Sequence, residues 1–287
     1  MRETFKKVLI TGAGGGLGKA LALEFLSKGW VVAATDITEP EFTDDKSMAL
    51  FESHPQTRRD LLTFKMDVTS DESVADVYNW FAERKRTLSL IINNAGIDGY
   101  MLLSAAPVKE FMRIFEVNVF GAYRVNQVFL PLLKRPGGRI IHIGSESLNL
   151  AMPFMAYPLS KKLLEGYAKA LRQELKFHGI EVVVIRPGAI DTELLKTVSV
   201  LAQSVGKENP GDPLQQAFAN FALQAEKEIG KVISPAVAAL FIYRLACIPR
   251  PRAVYRINNM LQLRIAALLP YSLMEKIVHK RLREKTA

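Results

Sequence analysis

Tyr157 and Lys161 are the two residues whose types and spacing could do chemistry together. In Tyr157-Pro158-Leu159-Ser160-Lys161 a phenol and an ammonium stand four residues apart, which on a helix is one face. A tyrosine hydroxyl ordinarily titrates near ~10 and is a poor base at neutral pH. A neighbouring cation favours the phenolate and lowers that value. Such a phenol could take a proton from a hydroxyl while hydride leaves the carbon, or give it back in the reverse direction. The spacing alone describes a solvated helix face equally well, so the rest of the chain must supply the context.

Thr11-Gly12-Ala13-Gly14-Gly15-Gly16-Leu17-Gly18 follows a short apolar run and opens a helical pattern. Glycines there permit positive φ and let the backbone approach a pyrophosphate at a helix N-terminus. Gly12, Gly15, Gly16, Leu17 and Gly18 are therefore expected at a dinucleotide. Asp36 ends the second apolar run eighteen residues after Gly18, where a carboxylate takes both ribose hydroxyls of an adenosine and repels a 2′-phosphate. Gly15 and Ile37, which flank that phosphate position, are uncharged, so NAD is expected in preference to NADP.

These residues need a scaffold that brings strand ends together. Six short apolar runs (Val8 to Thr11, Trp30 to Thr35, Leu62 to Met66, Leu88 to Ile92, Ile140 to Ile143 and Val182 to Ile185) read as strands. Helical patterns intervene at Lys19 to Lys28, Ser73 to Arg86, Val108 to Leu133 (bent or interrupted) and Leu159 to Phe177. Continuous rather than alternating apolar strands mean that both sheet faces are covered. The expected fold is α/β: a doubly wound parallel sheet of Rossmann type with helices on both faces, forming a single domain whose ligands bind beyond the carboxyl ends of the strands.

In that order and spacing the chain resembles the short-chain dehydrogenase/reductase family over roughly residues 5 to 192. The resemblance rests on the Thr11–Gly18 turn, Asn93-Asn94-Ala95-Gly96, Asn118 in Glu116-Val117-Asn118, Ser145 in Ile143-Gly144-Ser145, the Tyr157/Lys161 pair, and Arg186-Pro187-Gly188 followed by Thr192. It implies that Ser145 orients the substrate oxygen, that Lys161 binds the nicotinamide ribose and lowers the Tyr157 pKa, and that Asn118 holds a water relaying protons from Lys161. It further implies cofactor contacts from Asp67, Val68, Asn94, Ala95, Gly96, Pro187, Gly188, Ile190 and Thr192, besides Tyr157 and Lys161 themselves. Homodimers or homotetramers are expected by the same analogy.

Three departures stand out. The Ser145-to-Tyr157 interval is twelve residues, one shorter than in close relatives, and Ser147 is a less favoured substitute for Ser145. Pro158 follows the tyrosine, which a first helical turn tolerates, so this helix is expected to start near Tyr157. The chain also carries an extra tail in place of the glycine-rich ending of compact relatives.

On the substrate side, residues 193–232 are expected to form a lid, mixing Leu194, Leu195, Val198, Leu201, Phe218, Phe221 and Leu223 with a polar hinge from Gly206 to Pro213. Met152, Phe154 and Met155 suggest an adaptable apolar pocket. Arrangement and tail most resemble the hydroxysteroid/retinol branch, which points to a lipophilic alcohol or ketone. The alternatives are an NADPH-dependent carbonyl reductase and a non-catalytic NAD-binding regulator.

Composition narrows the field further. At 287 residues and 49% hydrophobic, the chain can bury one large core. Residues 1–257 are read as the catalytic domain and 258–287 as an extension. Single Cys247 excludes an internal disulfide and any multi-cysteine metal site, and the four histidines lack metal-ligand spacing, so no metal is expected. The opening residues resemble neither a signal peptide nor a membrane span, and an intracellular, cytoplasmic location is the expectation. The net charge is +9, yet from Arg244 onward ten Lys/Arg face only Glu275 and Glu284. Met260 to Leu269 and Leu273 to Lys285 read as basic amphipathic helices, fit to cover the pocket, meet a subunit or dock peripherally on an anionic membrane. Nucleic acid is not expected, because no recognition motif accompanies the charge.

Overall fold

The computed structural model describes residues 6–133, 136–149, 152–195, 211–227 and 230–283. Seven strands form one parallel sheet in the order β3-β2-β1-β4-β5-β6-β7. They are β1 Lys7–Thr11, β2 Val31–Asp36, β3 Leu61–Lys65, β4 Leu90–Asn93, β5 Arg139–Ile143, β6 Glu181–Pro187 and β7 Val254–Ile257. The order reverses between β1 and β4, so the crevice for a dinucleotide opens there. The seventh strand is absent from the sequence reading. Val254 to Ile257 is only half-buried, and its register with Val184 to Pro187 makes it a sheet edge.

Helices α1 Gly16–Ser27, α2 Asp45–Ser53 and α9 Pro235–Ala246 cover one face, and α4 Asp71–Glu83, α6 Ala122–Phe129 and α7 Tyr157–Leu175 the other. Strand alternation sorts the core accordingly: Val8 and Ile10 join Leu21, Phe25 and Ile242, whereas Leu9 joins Val74, Phe81 and Phe129. Edge-on rings extend both layers, with Phe25 5.0 Å from Trp30 and Phe81 6.3 Å from Phe129. The short helix α3 Thr57–Asp60 leads into β3.

Local chemistry sets the helix ends. Asp44 and Ser70 cap α2 and α4 by accepting from the N–H groups of Ser47 and Ser73. Buried Arg139, at the start of β5, donates to the Leu245 carbonyl at 2.8 Å and to that of Ala246, a cation closing the carboxyl end of α9. The long helical stretch expected from Val108 is interrupted: α5 Val108–Phe115 and α6 are joined by a π-helical turn, Glu116–Gly121. Such turns insert one extra residue and re-aim the side chains they carry. Three further helices are α8 Pro213–Lys227, α10 Leu261–Ala266 and α11 Tyr271–Arg283, and α8 packs against α11.

Candidate active site

The glycine turn is built by close backbone approach. A Cβ on Gly18 would overlap the Gly12 carbonyl oxygen, so only glycine lets α1 begin there. Gly16 has φ +51° and lies beside Thr192, which brings the residues after β6 onto the turn. Among the described residues nothing lies within 4 Å of where a Cβ would stand on Gly15, at the N-cap of α1. Unbonded N–H groups of a helix start beside open space suit a pyrophosphate.

The loop after β4 is stitched to this turn. Thr11 Oγ1 accepts from the N–H groups of Asn94 (3.1 Å) and Ala95 (3.0 Å), and Asn94 Nδ2 donates to the carbonyls of Thr11 (3.0 Å) and Gly12 (2.9 Å). The Asn94 amide is thus committed to holding the two loops together. Asp36 ends β2 and accepts from Gly14 N–H at 2.8 Å and from Ile37 N–H at 2.7 Å, while the Ile37 side chain is exposed. Asp67 holds Thr69 through N–H and hydroxyl bonds of 2.8 and 2.7 Å, and Val68 is buried against Gly121. Gly188 is tied to β7 by its N–H bond to the Ile257 carbonyl, and Ile190, whose side chain joins the core, forms a β-bridge with Ile233.

The four residues expected to act on substrate meet around the ends of β4 and β5. Helix α7 starts at Tyr157 with Pro158 in its first turn. Ser145 hydrogen-bonds the Tyr157 phenol, and its Oγ lies 2.9 Å from Ser147 Oγ. Ser145, not Ser147, is therefore the hydroxyl next to the tyrosine. Lys161 Nζ sits 5.5 Å from the Tyr157 ring centroid and donates to the Ile143 carbonyl at 2.9 Å. The π-turn buries Asn118, whose amide donates to Ile97 O (2.9 Å) and Ser160 Oγ (3.0 Å) and accepts from Ile97 N–H (2.8 Å). Gly96 brings Asn118 and Lys161 together, since a Cβ there would stand 3.2 Å from Asn118 Oδ1 and 3.3 Å from Lys161 Nζ.

Burial dominates the electrostatics of this cluster. Among the protein's own groups, burial and then the charge of Asp98 hold the Tyr157 phenol above its ordinary value, opposed by the Ser145 hydrogen bond. Burial lowers Lys161 to about 8 while Asp98 pulls it upward. The net shift of the Tyr157 phenol is upward because desolvation outweighs a cation aimed at a carbonyl. On the same strand end His142 is fully buried, and burial, followed by the Lys161 charge, depresses it to about 3.

The substrate side is apolar. Phe154 and Met155 are buried with Phe218 and Phe221 of α8, and Phe154–Phe218 centroids are 5.0 Å apart. Phe154 takes φ +63°, a left-handed conformation that a large side chain rarely adopts. That strain falls in the link between Pro153 and Tyr157, just before α7 begins. Leu282 of α11 packs on the same cluster, and Asn220 and Gln224 of α8 donate to the Leu282 and Arg281 carbonyls. A cavity of about 600 Å³ runs between Leu103, Met152 and Leu159 on one side and Met274, Val278 and Leu282 on the other. Leu194 and Leu195 belong to the described residues, whereas Val198, Leu201 and the hinge residues from Gly206 to 210 lie outside them.

Two carboxylates beside this cluster are missing from the sequence reading. Glu146 accepts from Met260 N–H (2.8 Å) and Asn259 Nδ2 (3.1 Å), fastening the tail beside Ser145. Asp98 stands two residues past Gly96, near both Tyr157 and Lys161. A lone acid beyond a motif has no pattern to announce it; adjacency to the motif was the one available signal.

Comparison with known proteins places these features. The short chain dehydrogenase family profile matches residues 6–200. Estradiol 17-beta-dehydrogenase 2 of Rattus norvegicus is 33% identical over 200 residues, covering 66% of this chain but 49% of that protein, so the chain spans about half of that relative's length. Retinol dehydrogenase 16 of Homo sapiens is 30% identical over 263 residues, covering 86% of this chain and 79% of that one. The NADPH-dependent 3-dehydrocapnine reductase of Ornithobacterium rhinotracheale is 29% identical over 287 residues, covering 97% and 98%. A solved short-chain dehydrogenase from Streptomyces avermitilis shares the fold, with TM-score 0.72 and 23% identity over 97% of this chain and 95% of that one.

Proposed function

This chain belongs to the short-chain dehydrogenase/reductase family, in its hydroxysteroid and retinol branch, and from that premise we propose that it oxidises a lipophilic secondary alcohol, or reduces the matching ketone, with NAD(H). The observation that carries the reading is the joint placement of Ser145, Tyr157, Lys161 and Asn118 at the ends of β4 and β5.

The nicotinamide cofactor fits the residues present: the turn from Gly12 to Gly18 for the pyrophosphate, Asp36 and Ile37 for the adenosine ribose, Asp67 and Val68 for the adenine, and Ala95, Gly96, Pro187, Gly188, Ile190 and Thr192 around the rest. When bound it supplies the two-electron acceptor or donor, exchanging hydride with the carbinol carbon. The protein's residues handle the proton. Ser145, both donor and acceptor, holds the substrate oxygen as alcohol or ketone. Tyr157 takes the hydroxyl proton in oxidation and returns it in reduction. Lys161, protonated below about 8, stabilises the phenolate once the cofactor and substrate displace water around it. Asn118, pinned to Ile97 and Ser160, fixes the geometry behind Lys161.

The apolar cavity beside α7 and the Phe154–Phe218–Phe221 cluster support a lipophilic substrate. Residues 1–257 are read as the catalytic domain with its lid at 193–232, and residues 258–287 as a cover for this pocket. The exposed row Val108, Met112, Phe120, Tyr123 and Leu163 on α5 to α7 suits a contact between copies of the chain. Asp36 favours NAD, whereas the relationship to an NADPH-dependent reductase favours the carbonyl-reductase reading. Replacing Tyr157 by Phe tests the mechanism. Turnover of lipophilic ketones should fall at least about 1,000-fold with cofactor affinity unchanged, the size expected when an acid/base that acts as a unit with its neighbours is removed. Retained activity would refute this mechanism, and a parent protein that binds the cofactor without any turnover would leave a nucleotide-binding regulator.

A further inference from the structure

The segment after β4 is pinned on two sides. On one, Ile97 exchanges both backbone groups with the Asn118 amide. On the other, the Gly99 carbonyl accepts from Ala156 N–H at 2.9 Å and Met101 N–H donates to the Phe154 carbonyl at 2.8 Å. Asp98 is therefore held on a short rigid strap against the residues that lead into Tyr157. Its carboxylate is half-buried and accepts one hydrogen bond, from Gly99 N–H at 2.8 Å. Among the described residues no Lys or Arg forms an ion pair with it; Lys161 acts on it from a distance while donating to Ile143. Tyr100, with its ring 6.4 Å from that of Phe221, carries the same strap to the apolar wall.

A partly desolvated carboxylate with one neutral donor is costly, and such a group is tolerated where a cation completes it. Burial pushes Asp98 up to about 6, so it is charged at neutral pH yet poorly compensated. Its negative charge would repel an anionic substrate head group and attract an ammonium. A purely structural role does not explain the charge, because an asparagine could accept from Gly99 N–H equally well.

We propose that Asp98 is a specificity-determining residue that receives a substrate ammonium, which makes the preferred substrate a lipophilic amino ketone or amino alcohol with its protonated amine near the reacting centre. This rests on the reading of the site as a hydride-transfer centre for lipophilic carbonyls and names the substrate class within it. The chain's own Lys161 is engaged with Ile143, so the incoming amine is the cation that completes the site.

The test uses the full chain with NADH or NADPH and three ketones of one chain length: plain, 2-amino and 3-amino. At least one amino ketone should exceed the plain ketone about tenfold or more in kcat/KM, and in D98N that ratio should drop to near one. A ratio unchanged by D98N, or no preference for either amine, overturns the proposal, and the D98N comparison removes any intrinsic reactivity difference between the ketones. Binding gives an independent readout: a long-chain primary amine should quench protein fluorescence with at least about tenfold weaker affinity in D98N, while the matched alcohol binds both proteins alike. If no ketone is reduced but amine binding still depends on Asp98, the hydride-transfer reading fails and the ammonium site stands. If ketones are reduced and the amine binds both proteins equally, the reverse holds.

Discussion

On the cofactor side, Thr11, Asn94, Asp36 and Gly14 are joined by directed hydrogen bonds of 2.8 to 3.1 Å between loops that follow adjacent strands. On the substrate side, Phe154, Met155, Phe218, Phe221 and Leu282 meet through apolar contact, across more than a hundred residues of sequence. The first arrangement is intolerant of an added methyl group, because backbone already touches backbone. The second can adjust, because side chains that share a cluster repack when one is trimmed. A rigid half that holds a constant ligand and an adaptable half that holds a variable one would explain why dinucleotide motifs are the dense part of this chain.

The largest effect should come from Gly18→Ala. The new Cβ would overlap the Gly12 carbonyl, so the turn must open at the point where the pyrophosphate is expected. Cofactor affinity, measured by calorimetry, should fall at least about 100-fold, equivalent to about 2.7 kcal/mol. Affinity within threefold of the parent would show that the cofactor half is as yielding as the substrate half.

A smaller effect is expected from Asp36→Ala, which leaves the turn intact but removes the acceptor for Gly14 and Ile37. The ratio of kcat/KM with NAD to that with NADP should fall about 10- to 100-fold, since the carboxylate both binds the ribose hydroxyls and repels a 2′-phosphate. A parent enzyme that already prefers NADPH would overturn the assignment of Asp36.

The same contrast governs what could be read before the structure. The turn from Gly12 to Gly18, Asp36 and the Tyr157/Lys161 pair are local patterns, and each lies where its spacing requires. The start of α7 at Tyr157 followed from Pro158 alone. Nothing local announces β7, a four-residue edge strand whose partner β6 lies some seventy residues earlier. The tail was read with Leu273, Ile277, Val278 and Leu282 as its apolar residues. The structure turns Val278 and Leu282 inward together with Met274 and leaves Leu273 and Ile277 exposed, because α8 decides which stripe is covered. The upward shift of Tyr157 has the same origin: the i, i+4 spacing specifies a neighbour, but burial depends on the whole fold.

The smallest effects should separate the two faces of that tail. Leu282→Ala trims an inward contact on the Phe154 cluster, about 1 to 2 kcal/mol for a partly buried leucine. KM for a lipophilic ketone should rise about threefold to tenfold, with cofactor affinity and kcat nearly unchanged. The outward face, with Leu261, Ile265 and Leu268 exposed, Arg264 in α10 and Lys276 in α11, has the composition of a peripheral membrane contact. Leu268→Glu should therefore reduce co-flotation with anionic vesicles while leaving KM alone, and Leu282→Ala should do the opposite. A KM that responds to both, or flotation that responds to neither, would mean that the tail serves only to close the pocket and that its basic charge is solvated.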